Sequence, residues 1–358
     1  MGPKVESSWL DIGVGENDRL FVRDHGRLKQ LVWELANKFQ QSPMLSIFFG
    51  RKTKDTALQA LFPQNNIRRT KAASTIGLRS DVVSAETEAP ILFADGEIES
   101  PLDRACRPQS APGLVDHPIP WGSGSVSDGL RFVYARLVFL FTDLICIFGE
   151  DFSDLEEVAQ FLVDCVRYQW PSTLPLAIRP RVIVVLDGGL EGRGHASATT
   201  GFFRKLSEVD PIQMSQSFSA INMVYLERQD TLGSTPYDRL RTWIKAHQRN
   251  VQIARKESWS TLNAIHLVSL FESAMKQFSS GVTSPFNFVK ATRGQLPVSP
   301  GLSQHLSCYL KAMTKAGCRL DTLISTTASA LVMDNFPPGM PCTYARCDNW
   351  LLNSESPG

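Results

Sequence analysis

The stretch Leu45-Ser46-Ile47-Phe48-Phe49-Gly50-Arg51-Lys52-Thr53-Lys54-Asp55-Thr56 decides how this chain is read. A largely apolar run ending in glycine predicts a buried strand. A basic loop follows, and Ala57 to Phe62 then has the pattern of a short helix. Strand, glycine, basic loop and helix are the layout of a phosphate-binding loop. A working loop is G-x-x-x-x-G-K-[ST]: glycines let backbone N–H groups wrap the phosphates, the lysine reaches them and the hydroxyl holds Mg²⁺. Counted from Gly50, the second glycine falls on Asp55, the lysine on Thr56 and the hydroxyl on Ala57. A carboxylate at the close-approach position repels phosphate. The expectation is a structural strand–helix turn carrying a vestigial nucleotide site of Gly50, Lys52, Lys54 and Thr56.

Working outward, residues 1–26 are polar and mixed, and 27–40 place Leu28, Leu31, Val32, Leu35 and Phe39 on one helical face. Residues 63–90 read as a long loop with room for a short edge element, and 99–130, rich in Pro, Gly and Ser, as a loop or insertion. Ile91–Ala94 predicts a strand ending in Asp95-Gly96. Leu137–Phe141 and Leu144–Phe148 are the most apolar region and predict a central strand. Ser153-x-x-Glu156 has the spacing of a capping box for a helix over 154–169. Arg181–Leu186 and Ala220–Leu226 predict further strands around a helix near 198–207. From about 235 the pattern is helical: 237–256, 260–278, 302–315 and 318–334.

Strands alternating with helices predict a mostly parallel sheet covered on both faces, with ligands at the carboxyl ends of the strands. Asp95 is placed where such folds hold Mg²⁺, although D-x-x-G would need glycine where Ile98 stands. Asp187 matches only the last position of [NT]-K-x-D. The run Leu186–Gly194 resembles the oxyanion loop of patatin-like lipases, but no nucleophile elbow G-x-S-x-G accompanies it. Glu150, Asp151, Asp154, Glu156 and Glu157 complement the dipole of the helix they precede and need no metal. Helix 237–256 carries Arg239, Arg241, Lys245, Arg249, Arg255 and Lys256, and the expectation is a solvated basic face. His305-x-x-Cys308 and Cys342-x4-Cys347 are pairs, short of a zinc set.

Composition narrows the class. The chain has 358 residues, 43% hydrophobic and 20% charged, with a net charge of +1. No global field favours nucleic acid. The longest apolar run, Phe132 to Phe148, is interrupted by Arg136 and Asp143, and is too short for a membrane span. The start has no secretory pattern, and Glu6 stands where a myristoylation motif wants Ser or Thr. Seven cysteines without regular spacing suggest a reducing, cytoplasmic setting.

The runs RLVFLFTDLICIFGEDFSDLEEV, STLPLAIRPRVIVVLDGG, PILFADGEIES and ALVMDNFPPGMP together resemble a fungal family with a GTPase-like P-loop domain, in some members joined to a patatin-like phospholipase domain. The resemblance spans roughly residues 43–340 and implies a divergent branch with FFGRKTKDTALQALF in place of the loop. Gly50, Asp95 and Asp187 match strand-end sites of that family, whereas Asp55, Thr56, Ala57 and Ile98 depart from it. The expected organisation is a segment 1–42 with one helix, an α/β domain of P-loop NTPase (GTPase-like) type over 43–230, an all-α domain over 232–335 and an irregular tail over 336–358. The tail is expected to be a truncated or mispredicted C-terminus, with any hydrolase domain absent. The expected role is a pseudo-NTPase serving a protein partner, without cofactor. The alternatives are an unusual hydrolase using GTP or ATP with Mg²⁺ on Lys52 or Lys54 and Asp95, and part of an acyl hydrolase.

Overall fold

The structure is a computed structural model. It describes residues 7–15, 19–67, 75–98, 114–120, 125–169, 172–188, 193–226, 235–258, 260–292 and 301–335. Two compact units divide the chain at Phe286/Asn287.

The first unit is built on one nine-stranded sheet. In chain order its elements are β1 (Ser8–Val14), β2 (Leu20–Asp24), α1 (Arg27–Glu34), β3 (Met44–Phe49), α2 (Lys52–Leu61), β4 (Thr75–Ser80), β5 (Ile91–Gly96) and β6 (Val115–Pro118). After these come α3 (Val126–Arg136), β7 (Leu144–Phe148), α4 (Leu155–Tyr168), β8 (Arg181–Asp187), α5 (Arg193–Leu206), α6 (Pro211–Ser217), β9 (Ala220–Leu226), α7 (Pro236–Glu257) and α8 (Ala264–Ser279). The strand order is β6-β2-β1-β4-β5-β3-β7-β8-β9. The second unit holds α9 (Phe288–Thr292), α10 (Leu302–Lys315) and α11 (Leu320–Asn335).

The sheet is mixed, not mostly parallel. β5, β3, β7, β8 and β9 run parallel, while β4, β1, β2 and β6 continue the sheet antiparallel. The antiparallel strands come from segments read as polar or as loops. β1 buries Trp9, Leu10, Ile12 and Gly13, and β2 is buried through Leu20–Arg23, where Arg23 is held by Asp116 of β6 at 2.7 Å. The hairpin pairs with β4, so the sheet extends into the segment expected to stand apart as 1–42.

Three local expectations also change. The helix expected over 27–40 ends at Glu34. Val138–Leu140 is a 3₁₀ turn, so the central strand is β7 alone. α7 and α8 belong to the first unit, although the helical domain was expected from 232; Leu240 and Ile244 of α7 pack in one core cluster with Phe48, Phe148 and Val185. α2 lies on that same face through Ala57, Leu58 and Leu61. On the opposite face Phe49 meets Tyr134 of α3 and Phe161 of α4 edge-on, with ring centroids 4.8 and 5.2 Å apart.

β7 is tied to β3 at its entry by Asp143, which is 1% exposed. Asp143 Oδ2 accepts the Leu45 N–H at 2.8 Å, and its own N–H donates to the Leu45 carbonyl at 2.8 Å. Oδ1 pairs with Arg255 of α7 at 2.5 Å. Burial pushes the Asp143 carboxyl up, against the pull of Arg255 and of the Leu45 N–H.

Candidate functional site

From β3 the chain first builds β4 and β5 on one side, and only later places β7 on the other. β3 is therefore the topological switch point, and the crevice outside the carboxyl ends of β3 and β7 is where open α/β sheets hold ligands. Gly50 lies there. Its φ is +145°, and a Cβ would stand 2.6 Å from Asp151 Oδ2, so any other residue is strained here.

The first turn of α2 leaves N–H groups without helical partners. A carboxylate takes them. The N–H groups of Arg51 and Lys54 donate to Asp151 Oδ2 at 2.6 and 2.9 Å, and that of Thr53 donates to Oδ1 at 2.8 Å. Asp151 arrives from the 3₁₀ turn Gly149–Asp151 that follows β7. The nest of N–H groups that a phosphate would use is thus filled by the chain's own anion, which the helix dipole also favours.

Lys54 points inward. Its ammonium meets the Asp95 carboxylate of β5 in an ion pair whose members are 4% and 3% exposed. Lys54 Nζ also lies 3.4 Å from the Gly96 carbonyl, and Arg79 Nη1 lies 3.5 Å from Asp95 Oδ2. Behind them the fully buried Tyr134 donates to the Glu97 carbonyl at 3.0 Å. Burial, with the charges of Glu97 and Asp95, pushes this phenol well above its ordinary range.

Gly50, Lys54 and Asp95 are therefore brought together. Lys52 and Thr56 are exposed, and the Thr56 hydroxyl donates to the Lys52 carbonyl at 3.0 Å. Asp187 is exposed at the end of β8, beyond β7, and its N–H donates to Glu150 Oε1 at 3.3 Å. Tyr237 of α7 senses the same acids: burial first, then the charges of Asp187 and Asp151, raise its pKa.

Asp151 is the residue that sequence reasoning assigned to the wrong partner. The acidic run after β7 was matched to the helix that follows it, α4. That helix is capped by Asp154, which accepts the Glu157 N–H at 2.7 Å, and Ser153 donates to Glu157 at 2.6 Å. The expected Ser153–Glu156 box does not form. In α7, Arg241 reaches Asp238 and the Ala60 carbonyl and Arg255 is buried on Asp143, which leaves Arg239, Lys245, Arg249 and Lys256 on the exposed side. Residues 189–192 of the oxyanion-like loop, Cys342, Cys347 and the tail lie outside the described residues.

A triphosphate with Mg²⁺ does not fit these groups as they stand. Its phosphate would meet the Asp151 carboxylate, the lysine is engaged with the acid a metal would need, and Thr56 is turned away. Among the described residues, no cluster of three or more His, Cys, Asp or Glu side chains could hold a metal, and no helix is long and apolar enough to cross a membrane.

No family model matches the chain, and no curated protein matches it. The proposed kinship with the fungal family and its patatin-linked members thus gains no support from either comparison. Among solved structures, Toc33 from Arabidopsis thaliana in complex with Mg²⁺ and GMPPNP aligns at a TM-score of 0.35 and 12% identity, over 64% of this chain and 93% of that one. The feruloyl esterase module from Clostridium thermocellum aligns at 0.28 and 9%, over 70% and 89%. The siderophore hydrolase EstA from Aspergillus nidulans aligns at 0.27 and 9%, over 70% and 98%. Likenesses this distant carry no argument about function.

Proposed function

We propose that the α/β unit is a pseudo-NTPase, a nucleotide-binding type of layout kept for interaction with a protein partner or for regulation, without efficient hydrolysis. The observation that carries this reading is the Asp151 carboxylate seated on the N–H groups of Arg51, Thr53 and Lys54. An internal anion needs no second molecule to be present, so it competes with any external phosphate at every concentration of the latter. The test is calorimetric titration of the full chain with GTP and with ATP, each with Mg²⁺. No heat of binding is expected, and Asp151→Ala opens the nest. Micromolar binding with turnover in the unaltered chain would overturn the reading.

One observation favours a second reading, a weakly active hydrolase: Lys54 and Asp95, the two side chains such chemistry would draw on, do meet beside Gly50. It requires Asp95→Ala to abolish turnover and Lys54→Ala to weaken nucleotide binding. Unchanged rates in both variants exclude it.

A further inference from the structure

A second concavity lies at the other end of β3, where the strand begins. It is a cleft of about 590 Å³ lined by the segments entering β3 and β5, by the last turn of α7 and by Thr261 and Leu262. That volume is within the roughly 300–1,000 Å³ of small-molecule sites. Its walls are tied together. The Ser42 N–H donates to the Glu88 carbonyl at 2.8 Å, the Met44 N–H to the Pro90 carbonyl at 2.9 Å, and the Ala264 N–H to the Gln41 carbonyl at 2.9 Å. Gln41 Nε2 adds bonds to the Ala85 and Thr87 carbonyls at 2.8 and 2.7 Å. A cleft fixed in this way exists before any ligand arrives.

The lining mixes apolar residues, Pro43, Met44 and Leu262, with polar and charged ones. Arg255 in the wall is more than nine-tenths buried, and its Nε has no acceptor even though the guanidinium is paired with Asp143 through Nη2. The neighbouring Lys256 is exposed. The side chains of Ser42, Gln252, Lys256 and Thr261 make no hydrogen bond or ion pair among the described residues. Arg255 is paired with Asp143, so Lys256 is the cationic side chain of this wall that no ion pair engages among the described residues, and the carboxylate of Glu88, the one acid of the lining, stands at the opposite segment.

We propose that this cleft binds a small organic anion whose carboxylate or phosphate group sits on Lys256 beside Arg255, with hydroxyl or amide groups meeting Gln252, Ser42 and Thr261. The inference is independent of the pseudo-NTPase reading, since it concerns the opposite end of the sheet. Amide NMR of the isotope-labelled full chain tests it with acetate, inorganic phosphate and glycerol as probes at matched ionic strength. Acetate or phosphate shifts the Ser42, Glu88 and Thr261 amides saturably, and glycerol does not. The anion that saturates at the lower concentration names the headgroup. Lys256→Ala weakens the response about tenfold, the loss of one charge-assisted bond. Lys245→Ala, about three helical turns away on α7, leaves the response intact. A response that never saturates, an equal response to glycerol, or equal weakening by the two substitutions overturns the assignment.

Discussion

Both ends of the β3–β7 pair are closed by an aspartate, and they are closed by different means. At the amino end Asp143 is sealed from water and answered by a buried guanidinium, Arg255, together with the Leu45 N–H. At the carboxyl end Asp151 is answered by backbone N–H groups alone, at the mouth of a crevice. The first arrangement is a lock in which each charge depends on the other. The second is an anion seated in a backbone cradle, where any anion of similar shape would be satisfied. The difference shows why one acid is part of the architecture while the other decides whether the crevice can accept a ligand.

The largest effect is expected from breaking the lock. Asp143→Ala leaves Arg255 charged and unpaired in the interior and costs about 3–5 kcal/mol in denaturant unfolding. Replacing both partners with apolar residues, Asp143→Leu with Arg255→Met, should recover most of that loss. A double variant as unstable as the single one would show that the pair is not the source of the cost.

The next effect sharpens the cradle. Gly50→Ala places a Cβ against Asp151 Oδ2 in a backbone conformation that L-residues rarely adopt, and costs about 1–3 kcal/mol. Asp151→Ala removes the steric part of this, so the two substitutions should be less than additive in a double-mutant cycle. Strict additivity would separate Gly50 from the carboxylate.

The smallest effect comes from acid. Burial lowers the pKa of His117, His247 and His266 in the folded chain, and Arg181 adds to the lowering at His247. The unfolded chain therefore binds more protons, and this contribution to stability falls as pH drops below about 6.5, the ordinary histidine value. Thermal melts should show the decline between neutral and mildly acidic pH, and His247→Asn should flatten it. A slope unchanged by that substitution would remove His247 from the account.

The parallel half of the sheet was legible because strands buried on both faces read as continuous apolar runs, as in Ile145–Phe148 and Val182–Leu186. The antiparallel half was not. β2 carries the charged Arg23 and Asp24, and β6 is Val-Asp-His-Pro, a sequence with no strand signature of its own. Such segments become strands through their neighbours, as Arg23 does through Asp116. In the site, Gly50 and Asp95 were visible as strand ends. The acid that fills the nest was visible too, but dipole logic ties an acidic run to the nearest helix in sequence, and the helix it serves here is nearest in space.

That distance also sets an order of events. A local cap such as Asp154 on α4 is in place as soon as its own turn forms. The first turn of α2 has no such help: Arg51 offers no side-chain cap, and the cap it does receive is about 100 residues away along the chain. Closing so long a loop is slow compared with forming a helix. The start of α2 is therefore capped only when β7 lies beside β3 and brings Asp151 into place.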